Sequence, residues 1–457
     1  MFPSRLVTAS AVLLALLSGC QSANVLSNEE LDSSVATMTR SDVTRSSDED
    51  DGVARAINLS QGYRTALRTA ILENQGFQAS VSRYRGAEAS IRSAQSATRP
   101  QLTADATVGA ARDGEDASTS TGAMANVALS QLIFDGGRTR ANIARTTAEA
   151  YAARANIAVS ANDVGQRAAQ AWIDLWQANT HNALLQDRIN EVSPLIERIE
   201  RLITNGIVDR AALAAAQRQF LDLKLEEERL QADLRDARER FHRYYGERPR
   251  SVPAPQRLFT DAELARMSSS WPDAPALIVA AAELIAAERA VEAAEGELRP
   301  TVNLRVGASS PTSGSLRRPD ANVGLVLQHT FGDGGRRAAE IDRLTEQLQA
   351  GRATFEDTKD QTRVDVETAL SRHRTLSNTI SVLDAQIREL NTERETLRSQ
   401  IASGQANMRQ LVESEVLYYR ALARRIDTRG ELTSLEIRLA SLTGELTSRL
   451  SINLNDL

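Results

Sequence analysis

The hydrophobic pattern of this chain switches between two periods, and the switches divide it into elements. A helical pattern begins at Ser60 and ends near Thr98, where the Arg99-Pro100 dipeptide stops it. Beyond this point apolar and polar residues alternate in two runs, as in half-buried strands, with a loop rich in Asp, Ser, Thr and Gly between them. The pattern therefore predicts a helix followed by a β-hairpin over residues 101–134.

A second copy of this arrangement lies later in the chain. Two near-identical segments each close an alternating run and open a long helical pattern: Asp135-Gly136-Gly137-Arg138 and Asp333-Gly334-Gly335-Arg336. They are 198 residues apart, and the same offset relates Gly206 to Gly404. The Arg99-Pro100 dipeptide recurs as Arg299-Pro300, at an offset of 200. A shared offset over this length indicates tandem duplication of one supersecondary unit.

The Asp-Gly-Gly segments are predicted to be strand-to-helix junctions. Glycine permits a tight passage of the backbone, and Asp135 or Asp333 can accept hydrogen bonds from the first free amides of the helix. The second segment superficially suggests a phosphate-binding loop. It lacks both the Gly-x-Gly-x-x-Gly pattern and a Lys-Ser/Thr pair, so the mechanical role is preferred.

A very long helical pattern follows each junction and reaches about Thr204 in the first repeat and about Ala402 in the second. At about 1.5 Å per residue, each helix would be on the order of 100 Å long. Apolar positions step by four and three, which indicates a coiled-coil seam. The seams comprise Leu185, Ile189, Val192, Ile196, Ile199 and Ile203, and Leu376, Ile380, Leu383, Ile387, Leu390, Leu397 and Ile401. Arg394 takes one seam position, where we expect its stem to cover apolar surface and its head to reach water. Pro194 predicts a kink or local break.

The turn residues Gly206 and Gly404 are each followed by the pattern of an antiparallel return helix. The predicted organisation is a signal peptide (1–19), a tether (20–58), a first repeat (59–250), a linker (251–272), a second repeat (273–450) with its hairpin at 301–332, and a C-terminal tail (451–457). Such repeats have no compact core of their own, so their apolar seams must be buried against neighbours.

The hairpins favour a membrane β-barrel. Strands of about ten residues with one apolar and one polar face have the length that a membrane strand needs, although the edge hairpin of a soluble sheet shows the same pattern. Two hairpins supply four strands, whereas a closed barrel needs at least about eight. The predicted fold class is an α+β membrane protein built from a tandem repeat of long coiled-coil helices and β-hairpins, in which one chain cannot close the barrel.

Composition and charge argue against several other classes of protein. Aromatic residues make up 4 % of the chain, too few for several large compact cores. The net charge of −6 is spread out, with no basic footprint for nucleic acid. The four histidines lie at no ligand spacing, so we expect no metal site. Trp172 and Trp176, four residues apart, form either a packing pair or a contact surface, and packing is preferred. Neither a nucleophile–base pair nor a carboxylate dyad stands out, so we expect no enzyme and no cofactor.

The N-terminus indicates export. Arg5 precedes an apolar region from Leu6 to Leu17, which is too short to span a bilayer and is typical of a cleaved signal. The Leu-Ser-Gly-Cys sequence that ends at Cys20 resembles the bacterial lipoprotein box, which implies lipidation of Cys20. Gln21 after it implies sorting to the outer membrane. The alternative is an incidental cysteine; as the only one in the chain, Cys20 allows no intramolecular disulfide.

Together, the lipobox, the Arg-Pro before each hairpin, the Phe-Asp-Gly-Gly-Arg junction, the glycine tips and the duplication resemble the TolC-type outer-membrane factors, over about residues 60–450. The resemblance implies that three chains form a twelve-stranded barrel in the outer membrane, continued by a twelve-helix periplasmic tunnel. This homotrimer would be a passive exit duct, served by an inner-membrane pump and a periplasmic adaptor of the membrane fusion protein type, in drug efflux or type I protein secretion. The alternative is a periplasmic coiled-coil scaffold or adaptor-like protein with the hairpins as soluble edge domains.

The resemblance also implies site residues at the periplasmic end. The tips around Gly206 and Gly404 would contact the adaptor. Two aspartates that narrow the closed end in the family correspond here to Gln410 and Glu413, and only Glu413 keeps an acid. A ring of three Glu413 side chains is therefore one interpretation, and a solvated carboxylate on a helix face is the other.

Overall fold

The order helix, hairpin, long helix and return helix occurs twice in the computed structural model of the protein, which confirms the predicted fold class. The structure describes residues 33, 57–112, 119–204, 210–313, 320–402 and 408–453. Every element below belongs to the unit Ala54–Leu457. Cys20, Gly206 and Gly404 lie outside the described residues.

The described part of the first repeat contains four α-helices and two strands. After a 3-10 turn at Leu59–Gln61, they are α1 (Tyr63–Leu72), α2 (Gln75–Ser96), β1 (Gln101–Arg112), β2 (Thr119–Phe134), α3 (Arg138–Thr204) and α4 (Arg210–Tyr245). The segment that joins the repeats carries α5 (Asp261–Arg266), which Thr260 and Glu263 begin with a reciprocal capping box. Two 3-10 turns, Met267–Ser269 and Trp271–Asp273, follow it.

The second repeat follows the same order. Its elements are α6 (Pro275–Gly296), β3 (Thr301–Ser313), β4 (Asp320–Gln328), α7 (Arg336–Ala402), α8 (Met408–Thr443) and α9 (Glu445–Arg449). None of the described helices has an apolar stretch long enough to cross a bilayer.

Three predicted helical features differ from the structure. The predicted first helix is divided into α1 and α2. The division lies at Asn74, which has an extended backbone and whose side chain accepts from the Gly76 amide at the start of α2. The last return helix ends at Gly444, whose left-handed backbone separates α8 from α9. Of the kink or local break expected at Pro194, the local break is absent, since α3 is continuous through it. Ile189 and Val192, which precede the proline, are buried in the seam.

The strands form one antiparallel sheet in the order β1-β2-β3-β4, so β2 and β3 join the two repeats. Their lengths of 12, 16, 13 and 9 residues bracket the predicted ten. The second hairpin ends at Gln328, four positions before the predicted end at residue 332. Strands β1 and β4 are the edges of the sheet.

The main hydrophobic core lies where the two repeats meet. Trp172 is fully buried at its centre and contacts the rings of Tyr63, Phe241 and Tyr245. Its indole donates to the Pro253 carbonyl over 3.0 Å. The predicted packing role of Trp172 and Trp176 is confirmed, since both are buried in this core.

A smaller core lies on the coiled-coil seam. Leu185, Ile189 and Val192 of α3 pack against Leu223 of α4 and Tyr419 of α8. On α7, the predicted seam positions are all buried or half-buried, while most residues between them are exposed. The 3.5-residue seam is therefore confirmed in α7, and in α3 from Leu185 to Ile196; the side chains of Ile199 and Ile203 lie outside the described part of the chain.

Candidate functional site

One face of the four-stranded sheet is apolar and exposed. The register places Leu102, Leu129, Val306 and Val323 side by side in one row across all four strands. Leu102 is 71 % exposed and Val323 72 %. Because side chains alternate along a strand, this face also holds Ala104, Ala106, Val108, Ala123, Ala125, Val127, Val302, Leu304, Ala308, Leu325 and Leu327. A contiguous exposed apolar surface that extends across four strands is typical of contact with lipid or protein.

The opposite face of the sheet is mostly polar, with Met124, Leu132 and Val326 as apolar exceptions. Asp105, Asn126, Ser309 and Asp320 form a row across it, and the Asn126 amide donates to the Asp105 carboxylate over 2.8 Å. Arg305 lies on the same side of β3, four residues before Ser309, and next to Ser130 and Gly324. One apolar and one polar face on the same strands match the pattern of a barrel wall between lipid and water.

The first junction, between β2 and α3, is closed by a buried aspartate. The Gly137 amide donates to the Asp135 carboxylate over 3.1 Å and the Thr139 amide over 2.7 Å, so Asp135 satisfies two free amides at the start of α3. Arg299, from the second repeat, donates to the Gly136 carbonyl over 2.9 Å. The junction thus also holds the two repeats together.

The second junction is built the same way, with an arginine added. The Gly335 and Arg337 amides donate to the Asp333 carboxylate over 3.1 Å and 3.2 Å. The Arg337 guanidinium donates to Asp333 over 2.7 Å and to the carbonyls of Glu297 and Thr330 over 2.9 Å and 2.6 Å. The hydrogen bond from Arg337 is the main reason that the pKa of Asp333 lies below its usual value.

Both glycines of each junction need the left-handed region. The φ values are 70° for Gly136, 92° for Gly137, 68° for Gly334 and 90° for Gly335. A side chain at any of these positions would be strained, which explains why both repeats carry the same pair.

The candidate constriction residues lie at the start of α8. Gln410 and Glu413 are exposed, and the Arg409 guanidinium donates to the Glu413 carboxylate over 3.0 Å. This pair is one helical turn apart and open to solvent, so it adds little to stability. The tip residues Gly206 and Gly404 lie outside the described residues.

A buried cluster of charged side chains lies near the start of α8, and the sequence did not predict it. Glu415 of α8 is 2 % exposed and accepts from Arg188 of α3 over 2.7 Å and from Arg398 of α7 over 2.7 Å. Arg394 donates to the same carboxylate over 3.3 Å and lies over the Tyr418 ring at 4.2 Å. The cluster ties the first repeat to both helices of the second-repeat coiled coil.

The predicted environment of Arg394 is therefore wrong. Its side chain is 12 % exposed, and its head turns inward to Glu415 and Glu191 instead of reaching water. The available signal was the arginine itself, because a charge in an apolar seam needs a buried partner. The partners could not be read from local sequence, since Glu415 and Glu191 lie on other helices.

Metal ligation has no candidate in the part of the chain that the structure describes, where no three His, Cys, Asp or Glu residues come together.

The similarity of this chain to a known protein family covers both repeats. The model of the outer membrane efflux protein family matches residues 66–247 and 271–445, one segment for each repeat. The outer membrane efflux protein BepC of Brucella suis biovar 1 (strain 1330) is 24 % identical over 320 residues, which cover 69 % of this chain and 70 % of the relative.

Solved structures show the same fold. The outer membrane protein VceC of Vibrio cholerae superposes with a TM-score of 0.73 at 14 % identity, covering 83 % of this chain and 96 % of that one. The outer membrane channel CmeC of Campylobacter jejuni superposes with a TM-score of 0.74 at 13 % identity, covering 87 % of this chain and 90 % of that one.

Proposed function

This chain belongs to the outer membrane efflux protein family, and we propose that three copies of it close into one passive exit duct. It is an outer-membrane protein that acts as an export duct. The observation that carries the trimer is the four-stranded sheet with an exposed apolar face and two edge strands. Four strands cannot close a barrel, which needs at least about eight, whereas three copies supply twelve.

The duct contributes no chemistry and takes its energy from partners. The polar face of the sheet would line the barrel, and the long helices would continue it into the periplasm. The tips around Gly206 and Gly404 are the proposed contact with a periplasmic adaptor of the membrane fusion protein type, which couples the duct to an inner-membrane pump. The family description favours efflux over type I protein secretion. Identification of the adaptor and pump that co-purify with the chain tests this choice.

A lipid on Cys20 would add a second attachment to the outer membrane. The proposal rests on the Leu-Ser-Gly-Cys sequence and on the absence of any other cysteine. Metabolic labelling with palmitate is expected to mark the wild-type chain and not Cys20→Ala. Equal labelling of both would contradict it.

The rival function is a periplasmic coiled-coil scaffold with soluble hairpins, and family membership disfavours it. Fractionation of cells followed by native mass determination in detergent separates the two. The duct requires a detergent-dependent trimer in the outer-membrane fraction. If Cys20→Ala, which has no lipid, were instead recovered as a monomer without detergent, the duct would be rejected.

A further inference from the structure

The two hairpins are equivalent residue by residue. In the first, Gln101 lies opposite Ser130; in the second, Thr301 lies opposite Gln328. Thus β1 and β3 correspond at an offset of 200, and β2 and β4 at an offset of 198, the offset of the Asp-Gly-Gly segments. The repeats therefore share one internal geometry, and a contact made by one repeat can be mapped onto the other.

Within the chain, the second repeat docks on the first through a strand pair and an arginine. Strand β3 pairs with β2, with Val306 opposite Leu129. At the base of these strands, Arg299 donates to the Gly136 carbonyl, and its side chain lies 2.5 Å from where a Cβ on Gly136 would be. Arg299 therefore covers Gly136 directly and occupies the space that a side chain at position 136 would need.

The matching contact is incomplete in a single chain. Gly334 corresponds to Gly136 and has nearly the same backbone, with φ of 68° against 70°. Among the described residues, nothing lies within 4 Å of where a Cβ on Gly334 would be. Arg99 corresponds to Arg299; it is exposed, and its guanidinium has no hydrogen bond or ion pair with any residue that the structure describes. One repeat thus presents an uncovered glycine, and the other an unused arginine.

We infer that Arg99 of a second copy covers Gly334 and donates to its carbonyl, while β1 of that copy pairs with β4. This extends the proposed trimer, on which it rests, by assigning the register and the docking residue. Mapping the β2–β3 register gives Leu327 opposite Ala106 of the second copy and Leu325 opposite Val108. The interface between copies then repeats the interface between repeats.

The mapped register agrees with the two faces of the sheet. Leu327 and Leu325 lie on the apolar face of β4, and Ala106 and Val108 lie on the apolar face of β1. A slip of one residue would set Leu327 opposite Asp105 or Thr107 and break the apolar band. The agreement is independent support for the register, because the offsets come from the junctions and the hairpin registers and not from the polarity of the side chains.

One position departs from the equivalence. Gly296 approaches the backbone of Arg138 so closely that a Cβ would lie 2.9 Å from its nitrogen, and Ser96 stands at the corresponding place in the first repeat. The helix ends between copies must therefore lie somewhat further apart than those within the chain. The arginine side chain is long enough to bridge a wider approach.

Crosslinking of paired cysteines tests the register. The full chain with Ala106→Cys and Leu327→Cys, treated with a short bifunctional thiol reagent, is expected to give a covalent trimer on a denaturing gel. Directly opposite Cβ atoms lie about 4.5–5.5 Å apart. The matched control is Ala106→Cys with Val326→Cys, which has the same number of thiols with the two on opposite faces; we expect little crosslinking.

The two hypotheses fail differently in this experiment. A native trimer in which the Val326→Cys pair crosslinks as well as the Leu327→Cys pair, or in which neither crosslinks, overturns the register and leaves the duct standing. A preparation that is monomeric by native mass overturns both.

A second measurement tests Arg99. Arg99→Gln is expected to raise the dissociation constant of the detergent-solubilised trimer roughly tenfold per interface, the effect of one lost hydrogen bond to a charged group. Arg92→Gln, at an exposed arginine on α2, is the control and is expected to change nothing. Trimer dissociation that is equal in Arg99→Gln and the wild type would overturn the docking role.

Discussion

Tyr63 and Tyr245 both contact Trp172 in the main core, but only one of their hydroxyls is satisfied. The Tyr245 hydroxyl donates to the Ala168 carbonyl over 2.9 Å. The Tyr63 hydroxyl is buried and has no hydrogen-bond partner among the described residues. Burial raises the pKa of both phenols, so each stays neutral at physiological pH.

The two tyrosines are therefore expected to respond differently to loss of the hydroxyl. Tyr245→Phe should lower the free energy of unfolding by about 1 kcal/mol, the typical net value of a hydrogen bond. Tyr63→Phe should be neutral or stabilising, because it removes an unsatisfied buried group. Thermal unfolding of the two variants in parallel provides the measurement. A larger loss in Tyr63→Phe than in Tyr245→Phe would contradict the assignment.

Glu415 is the residue on which the buried charge cluster depends. Glu415→Gln is expected to cost about 3–5 kcal/mol of stability, because the buried Arg188 loses its closer carboxylate partner and keeps only the longer contact with Glu191, at 3.4 Å. The matched control lies two residues away: Glu413→Gln removes an exposed carboxylate and should change stability by less than about 1 kcal/mol. Denaturant unfolding compares them, and equal stabilities of the two variants would show that the cluster does not hold the helices together.

At the scale of elements, the strand-to-helix junctions predict a dependence on acid. The pKa of Asp333 is lowered, chiefly by the hydrogen bond from Arg337, with further contributions from backbone amides. Its contribution to stability is therefore present above the unfolded pKa of about 3.9 and is lost as the pH falls through the lower folded value.

Asp333→Asn tests this dependence, since asparagine does not titrate and its single amide oxygen still accepts from one of the two backbone amides. We expect the unfolding temperature of the wild type to fall more steeply below about pH 4 than that of the variant. A steeper fall of the unfolding temperature in Asp333→Asn than in the wild type would contradict this prediction. A circular dichroism melt at several pH values is sufficient.

Elements were predictable where local residues decide them. The hairpins, the seams and the Asp-Gly-Gly junctions follow from periodicity and from glycine, which act over a few residues. The break before α2 was missed because its cause, a hydrogen bond from the Gly76 amide to the Asn74 side chain, interrupts the helix without interrupting the apolar period. The helix is also continuous through the exposed Pro194, which the local effect of proline did not predict.

At the scale of the whole molecule, the proposed trimer multiplies each exposed charge by three. If three Glu413 carboxylates line the periplasmic end, Glu413→Gln should weaken cation selectivity and block by multivalent cations in single-channel bilayer recordings. Gln410→Asn is the control, since it changes the neighbouring position without altering charge. Conductance and cation response that are identical in Glu413→Gln and the wild type would leave Glu413 as a solvated helix-face residue.

The sequence by itself determined the duplication, the element order and the two-faced hairpins, because these are written in local patterns and in an offset that recurs. The residues of the candidate site were only partly predictable from the sequence. Asp135 and Asp333 were identified as caps, and their carboxylates accept the expected amide hydrogen bonds. The arginines that complete the junctions, Arg299 and Arg337, were not identified.

Only the tertiary structure decided which distant residues meet. Arg188 and Glu415 are 227 residues apart in the chain, and Arg299 lies 163 residues from Gly136. Such contacts depend on how the two repeats dock, a geometry that no local pattern encodes. The seam position of Arg394 was visible in the sequence, but its burial was not, because the charge that compensates it comes from another helix.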